Sequence, residues 1–170
     1  MNKYMEIAKQ LSEDNLKTNH GGPFGACIVK NGKIVGKGSN QVLKDNDPTA
    51  HAEIVAIRDA CSNLKTYDLK GCELYTSCYP CPMCISAIIW SNIKTVYYGN
   101  TKEDAGAIGF RDDDIYSFIR DENKKIDLTL KNIDRSETIK TFEDYTKKED
   151  KTIYWKFFST QLLTLLKRVV

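Results

Sequence analysis

The sequence predicts an α/β protein, a sheet flanked by helices and built as one domain. Three observations carry that prediction. Stretches with helical apolar spacing alternate along the chain with short β-like runs, the pattern that layers helices on a sheet. Asn31-Gly32 stands between two apolar runs, a strong short-range hairpin signal. A length of 170 residues suffices for one sizeable core and is short for two.

Each element follows from its own residues. Between Lys3 and Leu16, apolar residues recur at Tyr4, Ile7, Ala8 and Leu11, the spacing of an amphipathic helix that stops near the breaker His20-Gly21-Gly22. FGACIVK (24–30) and KIVGKGSN (33–40) are the hairpin strands. A helix over AHAEIVAIRDAC (50–61) comes next, then a strand over CELYTSC (72–78), a helix opening at PCPMCISAIIW (80–90) and a strand over IKTVYYGN (93–100). Beyond Thr101 the pattern thins. GAIGFRDDDIYSFI (106–119) reads as loop and short helix, IDLTLKN (126–132) as a last strand, and SETIKTFEDYTKKED (136–150) as a charged helix with an apolar stripe. There is no internal repeat, low-complexity segment or linker.

Composition narrows the function classes. With 25 Lys and Arg against 23 Asp and Glu, the net charge is +2, so no strongly basic surface advertises a nucleic acid and no acidic block a tail. The first twenty residues lack the n-region and h-region of a signal peptide, and no run is long enough to span a bilayer. A cytoplasmic protein is expected. There, six cysteines are thiols, ligands or nucleophiles more often than disulfides, and Cys78, Cys81 and Cys84 fall close enough together to suggest a metal.

His51 stands two residues before Glu53 in DPTAHAEIVAIRDA. Residues two apart on a regular helix point to nearly opposite sides, so the two side chains share a centre only if the helix begins at His51. Asp47-Pro48-Thr49 supplies capping residues and a proline suited to that start. H-x-E alone also fits a solvated histidine and glutamate. The second cluster shifts the balance: a strand ending in YTSC delivers the chain into Pro80-Cys81-Pro82-Met83-Cys84, where two thiolates three apart share one face of a helix N-terminus. His51, Cys81 and Cys84 then make three protein ligands, the number that a catalytic zinc uses. Cys78 is the candidate for a fourth ligand, which would close the site and make it structural. A thiol packed on the sheet is the other reading of Cys78.

Together the motifs give H-x-E followed by P-C-x-x-C, a pattern that resembles the signature of the zinc-dependent nucleobase deaminases. The chain resembles that zinc-dependent superfamily from its first helix to about Ile153. The resemblance implies a three-layer α/β/α sandwich around a mixed five-stranded sheet, one zinc per chain, and Glu53 as the group that moves protons. Among its members the bacterial guanine deaminases look most similar, through GGPFGA (21–26), GSNQV (38–42), NDPTAHAE (46–53), YTSCYPCPMC (75–84), Ile88 to Trp90 and a GF-x-D segment (109–112). That likeness implies guanine as substrate, Phe24 on the purine face, Asn40 and the backbone N–H of Ala52 on the ring, and Asp112 as a second catalytic group, with Asp113 or Asp114 as alternatives. It also implies a deaminase domain over 1–154 in a homodimer, with segment 137–154 exchanged between subunits and Tyr154 closing the partner's site. Residues 155–170 depart from the family as an added tail, read either as a segment of no catalytic role or as an amphipathic helix.

Rival readings stay open. A tRNA adenosine deaminase shares DPTAHAE almost letter for letter, although a near-neutral chain argues against nucleic acid. Cytosine or another free base fits the same zinc motif. A structural zinc module is the reading of another class. His20 reads as a loop residue, Cys27, Cys61 and Cys72 as small core residues, and Asn40, without the resemblance, as a turn cap. Phe24, Trp90, Tyr97 and Tyr98 read as core aromatics unless they line a pocket.

Overall fold

The computed structural model describes residues 1–110, 112–120, 126, 128 and 130–150. Its chain divides into two compact units, residues 1–127 and 128–170. The first holds the sheet. Helix α1 (Lys3–Asn15) starts at Asn2, whose Oδ1 accepts from the N–H groups of Tyr4 and Met5 at 2.9 and 3.3 Å. Strands β1 (Gly25–Lys30) and β2 (Lys33–Ser39) form the expected hairpin, with Asn31 and Gly32 at φ 50° and 75°, angles these two residue types tolerate best. After the short helix α2 (Val42–Asp45) come helix α3 (Ala52–Leu64), strand β3 (Cys72–Cys78), helix α4 (Pro82–Trp90) and strand β4 (Thr95–Asn100). Helices α5 (Lys102–Ala107) and α6 (Asp112–Ile119) complete the unit.

The sheet order is β2-β1-β3-β4, antiparallel at β1–β2 and β1–β3 and parallel at β3–β4, where α4 makes the crossover. Strand β1 is buried on both faces, and its alternation assigns the layers. Cys27 and Val29, with Tyr75 of β3, pack against Tyr4, Met5 and Ile7 of α1. Ala26 and Ile28, with Leu74, pack against Ala52, Ala56 and Ala60 of α3 and Ile88 of α4. The three-layer α/β/α sandwich is therefore present. Helix α3 lies unusually close to β2: a Cβ on Gly38 would stand 2.2 Å from the Ala52 carbonyl oxygen, and one on Gly36 2.5 Å from that of Ala56. Small residues on both surfaces let helix backbone rest on strand backbone, which fixes where the start of α3 falls along the sheet.

Two expectations are corrected. The described sheet has four strands, not five, and residues 126, 128 and 130–132 carry no strand. The alternation of Ile126, Leu128 and Leu130 has the right period, but a strand needs a neighbour's ladder and a covered face. Leu128 and Leu130 are 56% and 82% exposed. Trp90, at the end of α4, and Tyr97 and Tyr98, on the edge strand β4 whose residues mostly meet solvent, are likewise exposed rather than core residues. In the second unit helix α7 (Arg135–Lys147) matches the charged helix expected there. Tyr154 and the tail 155–170 lie outside the described residues. Among those described, no helix is long and apolar enough to cross a membrane.

Candidate active site

The site begins with how two helices start. Before α3, the Asp47 carboxylate accepts from the Thr49 N–H at 2.8 Å and the Thr49 hydroxyl at 2.7 Å, turning the chain at Pro48. His51 is the N-cap, with extended backbone (φ −69°, ψ 156°), and Ala52 is the first helical residue. Because His51 stands outside the helix, its ring and the Glu53 carboxylate can face one point. Helix α4 repeats the device: Cys81 is the extended N-cap, Pro82 occupies the first turn where its missing N–H costs nothing, and Cys84 follows on the same face.

These two starts bring His51, Cys81 and Cys84 together, with their ligand atoms all within 4.8 Å of one another. His51 Nδ1 lies 3.5 Å from Cys81 Sγ and 3.6 Å from Cys84 Sγ. Donors bound tetrahedrally to one zinc at ordinary lengths stand about 3.5 Å apart, so this set fits the ion closely. The charges fit too. Hydrogen bonds from the Cys84 thiol and then from His51 pull the Cys81 thiol down to about 4, and the Cys84 thiol, donating to Cys81 in a buried site, is pushed up. The bond to Cys81 in turn raises the pKa of His51. The lowered Cys81 sulfur is ready to meet a dication, and binding one would release the Cys84 proton.

Cys78 is not in this set. It is buried at the end of β3, with its thiol donating to the Thr101 carbonyl at 3.5 Å and burial pushing its pKa up to about 11. Among the described residues the metal-ligating group has three members. Such a set leaves a zinc open for reaction, whereas a structural site calls for a fourth protein ligand.

Glu53 stands beside the sulfurs, almost wholly buried. The Thr76 hydroxyl donates to Oε1 at 3.0 Å and the Cys84 thiol to Oε2 at 3.4 Å. Burial raises the pKa of this carboxyl, the change that suits a group which must first take and then give a proton near neutrality.

A recess opens over this centre. Phe24, Asn40, Ala52 and Asp112 all line it. Asn40 is buried, its N–H donating to the Phe24 carbonyl at 3.0 Å and its Oδ1 accepting from the Val42 N–H at 3.2 Å. It does cap a turn, and its Nδ2 makes no hydrogen bond among the described residues. Gly21 admits this side chain, since a Cβ there would stand 2.0 Å from Asn40 Oδ1. Of the three aspartates, Asp112 lines the recess, where burial and then the nearby Cys81 charge push its pKa up. Asp113 instead forms an ion pair with Lys102 at 3.2 Å.

Several lining or bracing residues carried no role in the sequence reading. Phe110 packs edge-on against Phe24 with ring centres 4.7 Å apart, and the Tyr116 hydroxyl donates to the Pro80 carbonyl at 2.9 Å. The GF-x-D segment contained Phe110, but a single phenylalanine has no spacing to mark it. His20 is engaged through its backbone: its carbonyl accepts from Leu43 and Lys44 and its N–H donates to the Thr18 hydroxyl.

Residues 1–100 match the cytidine and deoxycytidylate deaminase zinc-binding region. The chain belongs to this deaminase family. The guanine deaminase of Bacillus subtilis is 49% identical over 116 residues, which span 68% of this chain and 74% of that protein. Its X-ray structure superposes with a TM-score of 0.85 at 40% identity, covering 91% of this deaminase and all of that chain. The tRNA-specific adenosine deaminase of Aquifex aeolicus is 45% identical over 86 residues, 51% of this chain and 57% of that one. The family relation makes this chain a hydrolytic, zinc-binding deaminase, and His51, Cys81 and Cys84 are the residues able to hold the ion.

Proposed function

We propose that this deaminase hydrolyses free guanine to xanthine and ammonia, as a cytoplasmic enzyme of purine metabolism. The observation that carries the reading is a buried glutamate set against a three-ligand metal group beneath a recess that Phe24 and Asn40 line, in a chain so similar to a guanine deaminase. A zinc ion held by His51, Cys81 and Cys84 supplies Lewis acidity that brings hydroxide within reach near neutral pH. Glu53 takes one proton of the attacking water and passes it to the ring nitrogen, then takes the hydroxyl proton of the addition product and delivers it to the amino group as it leaves. The carbon–oxygen bond forms as the ring carbon–nitrogen double bond becomes single, the bond to the amino group breaks as the new carbonyl forms, and one water is consumed for each ammonia released. Phe24 stacks on the purine, Asn40 Nδ2 donates to the ring, the Ala52 N–H meets its rim, and Asp112 holds the leaving side of the base. Glu53→Gln is expected to keep one zinc per chain and lose turnover by about three orders of magnitude or more; a well-folded, active Gln variant would overturn the assignment.

The free cysteines suit a reducing compartment: all six are thiols. A homodimer is supported by the apolar surface left open at Ile89, Trp90, Tyr97 and Tyr98. In the proposed domain, residues 1–154, the segment 137–154 is exchanged between subunits and brings Tyr154 to the partner's site. The exposure of Phe142 and Tyr145 on α7, at 72% and 44%, suits a helix that finds its cover on another chain.

The test is ultraviolet spectroscopy of guanine, adenine, cytosine, cytidine and a tRNA anticodon stem-loop, each mixed with the protein, with zinc and ammonia counted on the same sample. Guanine alone reacting, at one zinc per chain, is the expected result. Inosine from the stem-loop with guanine inert would keep the catalytic core and replace the substrate. The likeness to a tRNA deaminase favours that outcome, and the near-neutral charge opposes it.

A further inference from the structure

The residues proposed to meet the base stand just outside the β1–β2 hairpin, on two stretches of irregular chain. Phe24 closes the loop 21–24 and Asn40 follows the last residue of β2. What braces them is a residue outside the recess. Asn15, the last residue of α1, is 3% exposed, and its Nδ2 donates to the Gly22 carbonyl at 2.7 Å and the Asn40 carbonyl at 3.0 Å. The Thr18 hydroxyl lies alongside, 3.1 Å from the Asn15 carbonyl to which it donates and 3.4 Å from Asn15 Oδ1. One turn earlier, the Ser12 hydroxyl donates to the Pro23 carbonyl at 2.7 Å. The Asn40 N–H bonds to the Phe24 carbonyl, so the two stretches are also tied to each other.

We infer that Asn15 is a positioning residue for base recognition: by clamping the Gly22 and Asn40 carbonyls together, it sets the distance between the Phe24 ring and the Asn40 carboxamide. The inference rests on the guanine reading for its substrate, and on the structure alone for the clamp. The physical reason for an asparagine is specific. A primary amide supplies two N–H donors from one nitrogen, enough for two carbonyls, whereas an aspartate of the same shape would face both with lone pairs. A buried carbonyl left without its donor costs more than the bond itself was worth, so the loop would shift to find another partner. Such a shift moves Asn40, which Gly21 already confines from the other side.

A double-mutant cycle separates positioning from general support. Asn15→Asp, Asn40→Ala and the double variant are compared by kcat/KM on guanine, with zinc content and thermal midpoint recorded. Asn15→Asp is expected to lower kcat/KM by about tenfold or more, chiefly through KM, at unchanged zinc, and to change it less than about twofold once Asn40 is alanine. Independent, multiplying losses in the two backgrounds would overturn the inference. If Asn15→Asp does not accumulate folded, Asn15→Ser, whose hydroxyl is too short to bridge both carbonyls, takes its place in the cycle. Amide hydrogen exchange supplies a readout without any substrate: the variant should speed exchange at Phe24 and Asn40 and spare the β1–β3 ladder. Uniformly faster exchange, or none, would count against the clamp. A wild-type protein inert on guanine overturns the substrate reading and leaves the clamp to be decided by that exchange measurement.

Discussion

At the residue scale, the chemistry divides into groups that spacing marks and groups that only folding brings near. Exchanging Cys81 or Cys84 for serine is expected to empty the zinc site, whereas Cys78→Ser should keep one zinc per chain, as metal analysis of the purified variants would reveal; loss of zinc from Cys78→Ser would reinstate a closed site. Gly21→Ala is expected to displace the Asn40 carboxamide and lower kcat/KM on guanine by about tenfold with zinc intact, because a Cβ there would overlap Asn40 Oδ1. His51, Glu53, Cys81 and Cys84 were legible in the sequence, since a metal site and its proton carrier require those residue types at fixed separations. Asn15, Thr76 and Phe110 were not. An asparagine near a helix end reads as an ordinary stop signal, and its partners lie 7 and 25 residues away along the chain.

At the element scale, the site depends on where helices begin. Hydrogen bonds from Thr49 hold the Asp47 carboxyl below its ordinary range, with Arg58 adding to the effect. A carboxyl whose pKa is lowered by folding adds stability that is present above its unfolded value, near 3.9, and fades as pH falls through the folded one. Asp47→Asn should therefore lower the thermal midpoint at pH 7, and the gap from wild type should close below about pH 4; a gap independent of pH would mean that charge is not what the turn uses. Helix α4, the hairpin and the opening of α3 were legible because prolines, Asn-Gly and capping residues mark them locally. Helix α5 escaped notice although Thr101 and Asp104 form a capping box, since only six residues follow the cap and their apolar pattern is too short to show a period. At 126–132 the described residues carry no strand for the opposite reason: the period is clear, and a partner for it is not in the sequence pattern at all.

At the scale of the whole molecule, the metal group ties the start of α3 to the start of α4 across one end of the sheet. Removing zinc with a chelator is expected to lower the thermal midpoint, and returning it to restore the value; at zinc a thousandfold above its dissociation constant the ion contributes about 4 kcal/mol. An unchanged midpoint in calorimetry would show that the two helix starts are held without it. The layered architecture was readable from alternation alone, whereas the close seating of α3 on β2 depends on pairing Gly36 and Gly38 with the alanines of a helix far along the chain. One feature of the layout bears on how such a protein can change. His51, Glu53, Cys81 and Cys84 come from two helix starts seated on the sheet, while Phe24 and Asn40, at the ends of the hairpin, and Phe110 and Asp112 line the rest of the recess. If the proposed roles hold, reaction and choice of base are inscribed in separate stretches of the gene, and drift in the loops would retarget the enzyme to a new heterocycle while its metal group and glutamate are inherited intact.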